Sequence, residues 1–108
     1  MAPGATNLVF SALADPTRRG LMERLSSDGP LSATDLAAGG PISRQAVVKH
    51  LAALSAAGLL RAERRGREVL YTVDPARLDP IAQWMERIGH LWDQRLVALV
   101  KHVSPPGA

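Results

Sequence analysis

Ser43, Arg44, Gln45, Val48 and Lys49 fall within seven consecutive residues of the stretch ISRQAVVKH. Their types suit the base edges and phosphates of a nucleic acid. A guanidinium can fork onto O6 and N7 of guanine, and a carboxamide can pair with adenine. A small apolar side chain can meet the thymine methyl, and an ammonium can neutralise a phosphate. Each residue also has a plainer reading. Ser43 fits a helix cap, Val48 fits an extension of the core, and Arg44 and Gln45 fit a solvated surface. A second basic cluster follows in RAERRGREVLYTVD, with Arg61, Arg64, Arg65 and Arg67 around Gly66. Arginines at that spacing can track phosphates or enter a narrow minor groove.

The charge distribution points the same way. The chain of 108 residues carries a formal net charge of +3. Residues 41–67 hold six basic side chains against Glu63 alone, a local charge of +5, which leaves the remainder at −2. A positive patch on a mildly acidic body suits a polyanion such as duplex DNA.

Other chemistries find little support. No glycine loop of phosphate-cradling type is present, and no histidine lies in a recognisable arrangement with a nucleophile and an acid, so an enzyme is not expected. The absence of cysteine excludes disulfides and thiolate metal sites. His50 lies beside an apolar stripe, where a hydrogen-bonded structural role is expected ahead of ligation. His90 and His102 would stand about 18 Å apart by helical rise and cannot share one ion on a straight helix. A metal site would have to cross a dimer and recruit Glu86 or Asp93; no metal or cofactor is expected. The opening MAPGATN lacks a basic region leading into an apolar run, and no segment suits a membrane span, so a cytoplasmic location is expected.

The elements that must position these residues are legible from periodicity and punctuation. One domain is expected over 1–108, mainly α with a small β-hairpin: helices over 5–13, 16–27, 32–38 and 43–57, strands over 60–65 and 68–73, and a long helix over 79–103. Asp15-Pro16 suits a helix start, with Asp15 as cap and Pro16 in the first turn. Leu21, Met22 and Leu25 form that helix's inward stripe, leaving Arg18, Glu23 and Arg24 for water. Arg18 and Arg19 open the helix, where cations oppose its dipole; that leaves a phosphate or carboxylate role beside plain salt bridging. Ser32 and Asp35 resemble a capping box, with Leu31 and Leu36 as anchors. Gly39-Gly40-Pro41 reverses the chain. Val47, Leu51 and Leu54 recur at i, i+4 and i+7 and turn the following helix's other face outward. Gly58 ends that helix, and Gly66 turns a hairpin whose Val69, Tyr71 and Val73 alternate.

A helix-turn-helix followed by a basic hairpin is a winged DNA-binding module. Ile42 to Leu54, the AAGLL that follows and the RRGRE wing resemble the ArsR/SmtB family of bacterial winged helix-turn-helix repressors. Asp15-Pro16-Thr17-Arg18-Arg19 is similar to the phrase opening an early helix in that family. The closing helix with Trp92 resembles the branch without the usual metal cysteines. The likeness covers roughly residues 8–103 of the chain. It implies a homodimeric transcriptional regulator, usually a repressor, with terminal helices at the dimer interface. By position, Ser43, Arg44, Gln45, Val48 and Lys49 match the DNA-facing part of the recognition helix, and Arg64, Arg65 and Arg67 match the wing. Val48 departs from the small polar residue often found there.

The last helix carries a continuous apolar stripe of Ile81, Met85, Ile88, Trp92, Leu96 and Leu99. It is long for so small a domain to bury alone. With Leu8, Val9 and Phe10 of the first helix it is expected to form a dimer interface; an intramolecular core helix is the alternative. Trp84, Met85 and Trp92 suit packing, with a pocket for a small apolar effector as the second reading. The expected partners are duplex DNA, a second copy of the chain and a small-molecule effector, without a membrane. A winged module that binds only another protein is the competing function.

Overall fold

Val47, Leu51 and Leu54 are each 0 % exposed, and their helical spacing fixes which side of α4 (Arg44–Ala56) turns inward. Burial of each such aliphatic side chain contributes on the order of 1.5–3 kcal/mol. In the computed structural model, which describes residues 3–103, the chain divides into two compact units. One runs to Leu78 and the other begins at Asp79. The fold is mainly helical, with a small antiparallel sheet as the wing and a long C-terminal helix.

The first unit contains α1 (Pro3–Leu13), α2 (Pro16–Asp28), β1 (Leu31–Ser32), α3 (Ala33–Ala37), α4, β2 (Leu60–Arg65), β3 (Glu68–Val73) and a 3-10 turn over Pro75–Arg77. Leu59 and Val9 join the α4 stripe as fully buried side chains, and Leu21, Met22, Leu25 and Leu36 are buried with them. The spans of β2 and β3 are those the alternation predicts.

The wing sheet has three strands rather than the two expected, in the order β1-β3-β2. Leu31 pairs with Tyr71 and Ser32 with Leu70, so β3 is the central strand. A strand of two residues is too short for periodicity to register, and the chain there reads instead as a helix entry. Ser32 serves as both strand end and helix cap. Its hydroxyl accepts from the Asp35 amide at 3.1 Å, and its own amide donates to Asp35 Oδ2 at 3.1 Å. This reciprocal box holds α3, which is shorter than the 32–38 predicted. Central placement also explains β3's burial. Leu70 is half-buried like Tyr71 and Val73, whereas Val69 stays exposed.

Several polar side chains depart from the reading of the sequence. Asp15 occupies the N-cap position of α2, but its carboxylate makes no cap hydrogen bond. Its Oδ2 lies 3.3 Å from His50 Nδ1 and 3.8 Å from Arg18 Nε. Arg19 donates through Nη1 to the carbonyls of Leu13 at 2.7 Å and Ala14 at 3.2 Å, closing the end of α1. Arg24 is exposed, as expected, and besides lying 3.7 Å from Asp28 it donates through Nη1 to the Leu36 carbonyl at 3.2 Å. A cation at a helix C-terminus meets the negative end of the dipole and satisfies carbonyls with no intrahelical donor.

The exit from α4 is a Schellman turn. The Leu59 amide donates to the Leu54 carbonyl at 3.0 Å, and the Gly58 amide donates to that of Ser55 at 2.9 Å. Gly58 adopts φ 80°, and a Cβ there would stand 3.0 Å from Cγ of Arg77. The Asp74 amide then donates to the Leu59 carbonyl at 2.8 Å and closes the base of the wing.

The second unit is dominated by α5 (Asp79–Val103). Met85, Ile88, Leu91, Trp92, Leu96, Leu99 and Val100 are all exposed along it. The Arg95 guanidinium lies 5.5 Å from the centroid of the Trp92 ring. No helix among the described residues is long and apolar enough to cross a membrane.

Candidate nucleic-acid interface

The geometry of α4 begins at its cap. Ser43 Oγ accepts from the Ala46 amide at 3.1 Å, which satisfies one of the free donors of the first turn. Arg44 is therefore the first residue of the helix, and Gln45, Val48 and Lys49 follow on its exposed side. Val47 and Leu51 anchor the opposite side at full burial. Val48 is 38 % exposed, so it lies outside the core stripe. Ala52 adds a small exposed residue to the outward side, which keeps that surface slim.

Arg44 does not extend freely into solvent. Its Nε donates to Thr34 Oγ1 of α3 at 3.1 Å. Arg44 and Val48 line a cleft of about 290 Å³ with Thr34, Arg67, Val69 and Tyr71. The cleft thus joins the start of the recognition helix to the near side of the wing. Glu68 also borders it.

The strand register sorts the wing arginines. Arg64 stands opposite Val69 and Ala62 opposite Tyr71, so Arg64 shares the sheet face that borders the cleft. Arg61, Glu63 and Arg65 alternate on the other face. There Arg65 Nε lies 3.4 Å from Glu63 Oε1, and Arg61 Nε lies 3.8 Å from Asp74 Oδ2. Arg64 Nε donates to the Gly66 carbonyl at 3.4 Å, inside the turn. That turn has two residues; Gly66 has φ 60° and Arg67 has no positive φ, the pattern of a type II′ hairpin.

The expected site residues consequently separate. Arg44, Val48 and Arg67 meet around one cleft, with Arg64 on the adjoining sheet face. Ser43 is occupied as a cap, while Gln45 and Lys49 are exposed on α4. Arg65 lies on the far face, in an exposed ion pair. Thr34 and Glu68 also border the cleft, as does Tyr71, which the sequence marks only as an alternating strand residue. Thr34 lies ten positions before Arg44, across the turn, and its signal was the capping box that surrounds it.

The other candidates are also placed. Val9 is 0 % exposed and Ile81 5 %, while Leu8, Phe10, Met85, Ile88, Trp92, Leu96 and Leu99 are exposed. His50 lies against Arg18 and Asp15 as a hydrogen-bonded side chain. His90 Nε2 is 3.2 Å from Gln94 Nε2, and the side chain of His102 lies outside the described residues. No group of three His, Cys, Asp or Glu side chains among the described residues converges as metal ligands would.

Comparison with known proteins accords with this architecture. Residues 13–63 match a family model described as a helix-turn-helix domain. The HTH-type transcriptional regulator Rv2034 of Mycobacterium tuberculosis is 35 % identical over 98 residues, which span 91 % of this chain and 88 % of that protein. The transcriptional repressor SdpR of Bacillus subtilis is 33 % identical over 79 residues, covering 73 % of this chain and 87 % of the relative. Among solved structures, an ArsR-like transcriptional regulator from Rhodococcus sp. RHA1 is 41 % identical, covers 93 % of both chains and superposes with a TM-score of 0.71. The exposed face of a capped second helix, the basic wing beside it and these relatives lead to one assignment: the chain belongs to the ArsR/SmtB family of winged helix-turn-helix DNA-binding transcriptional regulators, which are not enzymes, and it carries no cysteine.

Proposed function

We propose that the protein is a cytoplasmic, homodimeric repressor that occupies promoter DNA. The observation that carries this reading is the convergence of Arg44, Val48 and Arg67 on one cleft between α4 and the wing. A helix laid in the major groove would bring Arg44, Gln45 and Val48 to base edges, and Lys49 to phosphate. Arg64 and Arg67 would then follow the flanking backbone or the minor groove. Ser43 contributes first by capping, which aims the amino end of α4 at the duplex.

Pairing is supported by the exposed apolar side chains of α5, and Leu8 and Phe10 of α1 are exposed as well. An apolar helix face like that of α5 is costly to leave in water. Val9 belongs to the core of its own subunit and is not part of this surface. Two subunits would set their recognition helices about 34–36 Å apart, one turn of duplex. Bound there, the dimer would obstruct polymerase, a role supported by the repressor name of SdpR. Occupancy would be set by an apolar organic effector or by protein concentration, ahead of metal.

Analytical ultracentrifugation with a fluorescent duplex, selected by the protein from a random library, tests this reading. The expected species is two subunits on one duplex, with affinity falling steeply as salt rises. A monomer with no salt-sensitive affinity for duplex DNA would instead indicate a module that binds protein.

A further inference from the structure

Resting on the DNA-reading role proposed above, we infer that Thr34, in the helix before the turn, is a positioning residue that dictates how Arg44 engages a base. Its hydroxyl accepts from Arg44 Nε at 3.1 Å. A guanidinium has one donor at Nε and four on the terminal nitrogens. It can fork onto guanine side-on, through Nε and one terminal nitrogen, or end-on, through both terminal nitrogens. With Nε given to Thr34, only the end-on fork remains.

Thr34 is itself well held. The reciprocal Ser32 and Asp35 bonds lock the first turn of α3, and the Thr34 carbonyl accepts from the Ala38 amide at 3.0 Å. As a β-branched residue it has few rotamers to choose from. Arg44, by contrast, has no local reason to be ordered. It opens α4, where a cation opposes the helix dipole. Among the described residues it forms no ion pair with a carboxylate, so its charge stays available to a ligand. A hydroxyl orients the guanidinium without neutralising it. The cleft shared by Thr34, Arg44, Val48 and Arg67 lies at this spot.

The test compares affinity for the duplex selected by the wild-type protein with affinity for a scrambled duplex. T34V keeps the branched shape and removes the acceptor; T34S keeps the acceptor. The ratio of the two affinities is expected to fall about 3- to 10-fold in T34V, the worth of one net hydrogen bond, and to recover in T34S. In an R44A background T34V is expected to have no further effect on the ratio. T34A removes the same acceptor should T34V fail to fold. Wild-type discrimination in the acceptor-less variants, or a loss that persists undiminished in the R44A background, overturns the inference while leaving the DNA-reading role standing. Failure of the wild-type protein to select any sequence overturns both.

Discussion

His50 Nδ1 lies 3.3 Å from Asp15 Oδ2, joining the entry of α2 to the middle of α4. The same ring nitrogen is 3.3 Å from Arg18 Nε. It can accept from Arg18 with its lone pair or donate to Asp15 when it carries a proton, but not both at once. Asp15 Oδ2 is buried, and while the ring accepts from Arg18 it has no hydrogen-bond partner. His50→Ala is therefore expected to lower unfolding stability by about 1–2 kcal/mol. Urea unfolding of the H50A, D15A and double variants checks this. The double variant should lose less than the sum of the singles, and strict additivity would show that the pair is not coupled.

Core and assembly should separate in mutants. Leu51→Ala removes a fully buried side chain from the inner face of α4. It is expected to cost about 2–5 kcal/mol in chemical denaturation. Replacing exposed Trp92 and Leu96 together with glutamate should leave the first unit folded but shift the protein to monomer in light scattering. A dimer that survives this change would place the interface elsewhere.

The wing arginines should differ in salt response. Each phosphate contact contributes about 0.9 to the slope of log affinity against log salt. Arg67→Ala and Arg64→Ala are expected to lower the slope by about that amount. Arg65→Ala should lower it less, because Arg65 sits on the far face paired with Glu63. Fluorescence anisotropy across a salt series reads this, and equal slopes for R65A and R67A would contradict the sorting by strand register.

Gly58→Ala should destabilise the protein twice over. The left-handed backbone costs an L-residue about 1–2 kcal/mol, and the added Cβ would press on Arg77 at 3.0 Å. Adding R77A should recover only the second part in thermal unfolding. Full recovery would mean that the backbone conformation carries no penalty.

What the sequence made legible follows from the reach of each signal. Val47, Leu51 and Leu54 set the face of α4 through simple periodicity, and Gly66 with its flanking alternation set the hairpin. Ser32 and Asp35 announced their capping box three residues apart. What escaped was tertiary. β1 exists because Leu31 and Ser32 meet Tyr71 and Leu70, nearly forty residues away. Asp15 makes no cap hydrogen bond and stands instead beside Arg18 and a histidine of another helix. Arg19 opens α2, yet it serves the end of a neighbouring helix, a contact its own helix does not announce. Thr34 could not be tied to Arg44 without knowing how the turn brings α3 against α4.

Sequencing of duplexes enriched from a random library by the purified protein tests the central claim most directly. Paired reading heads predict an inverted repeat, its half-sites centred about 10–10.5 base pairs apart. Enrichment of nothing, or of a lone half-site with no symmetry-related copy, would contradict it.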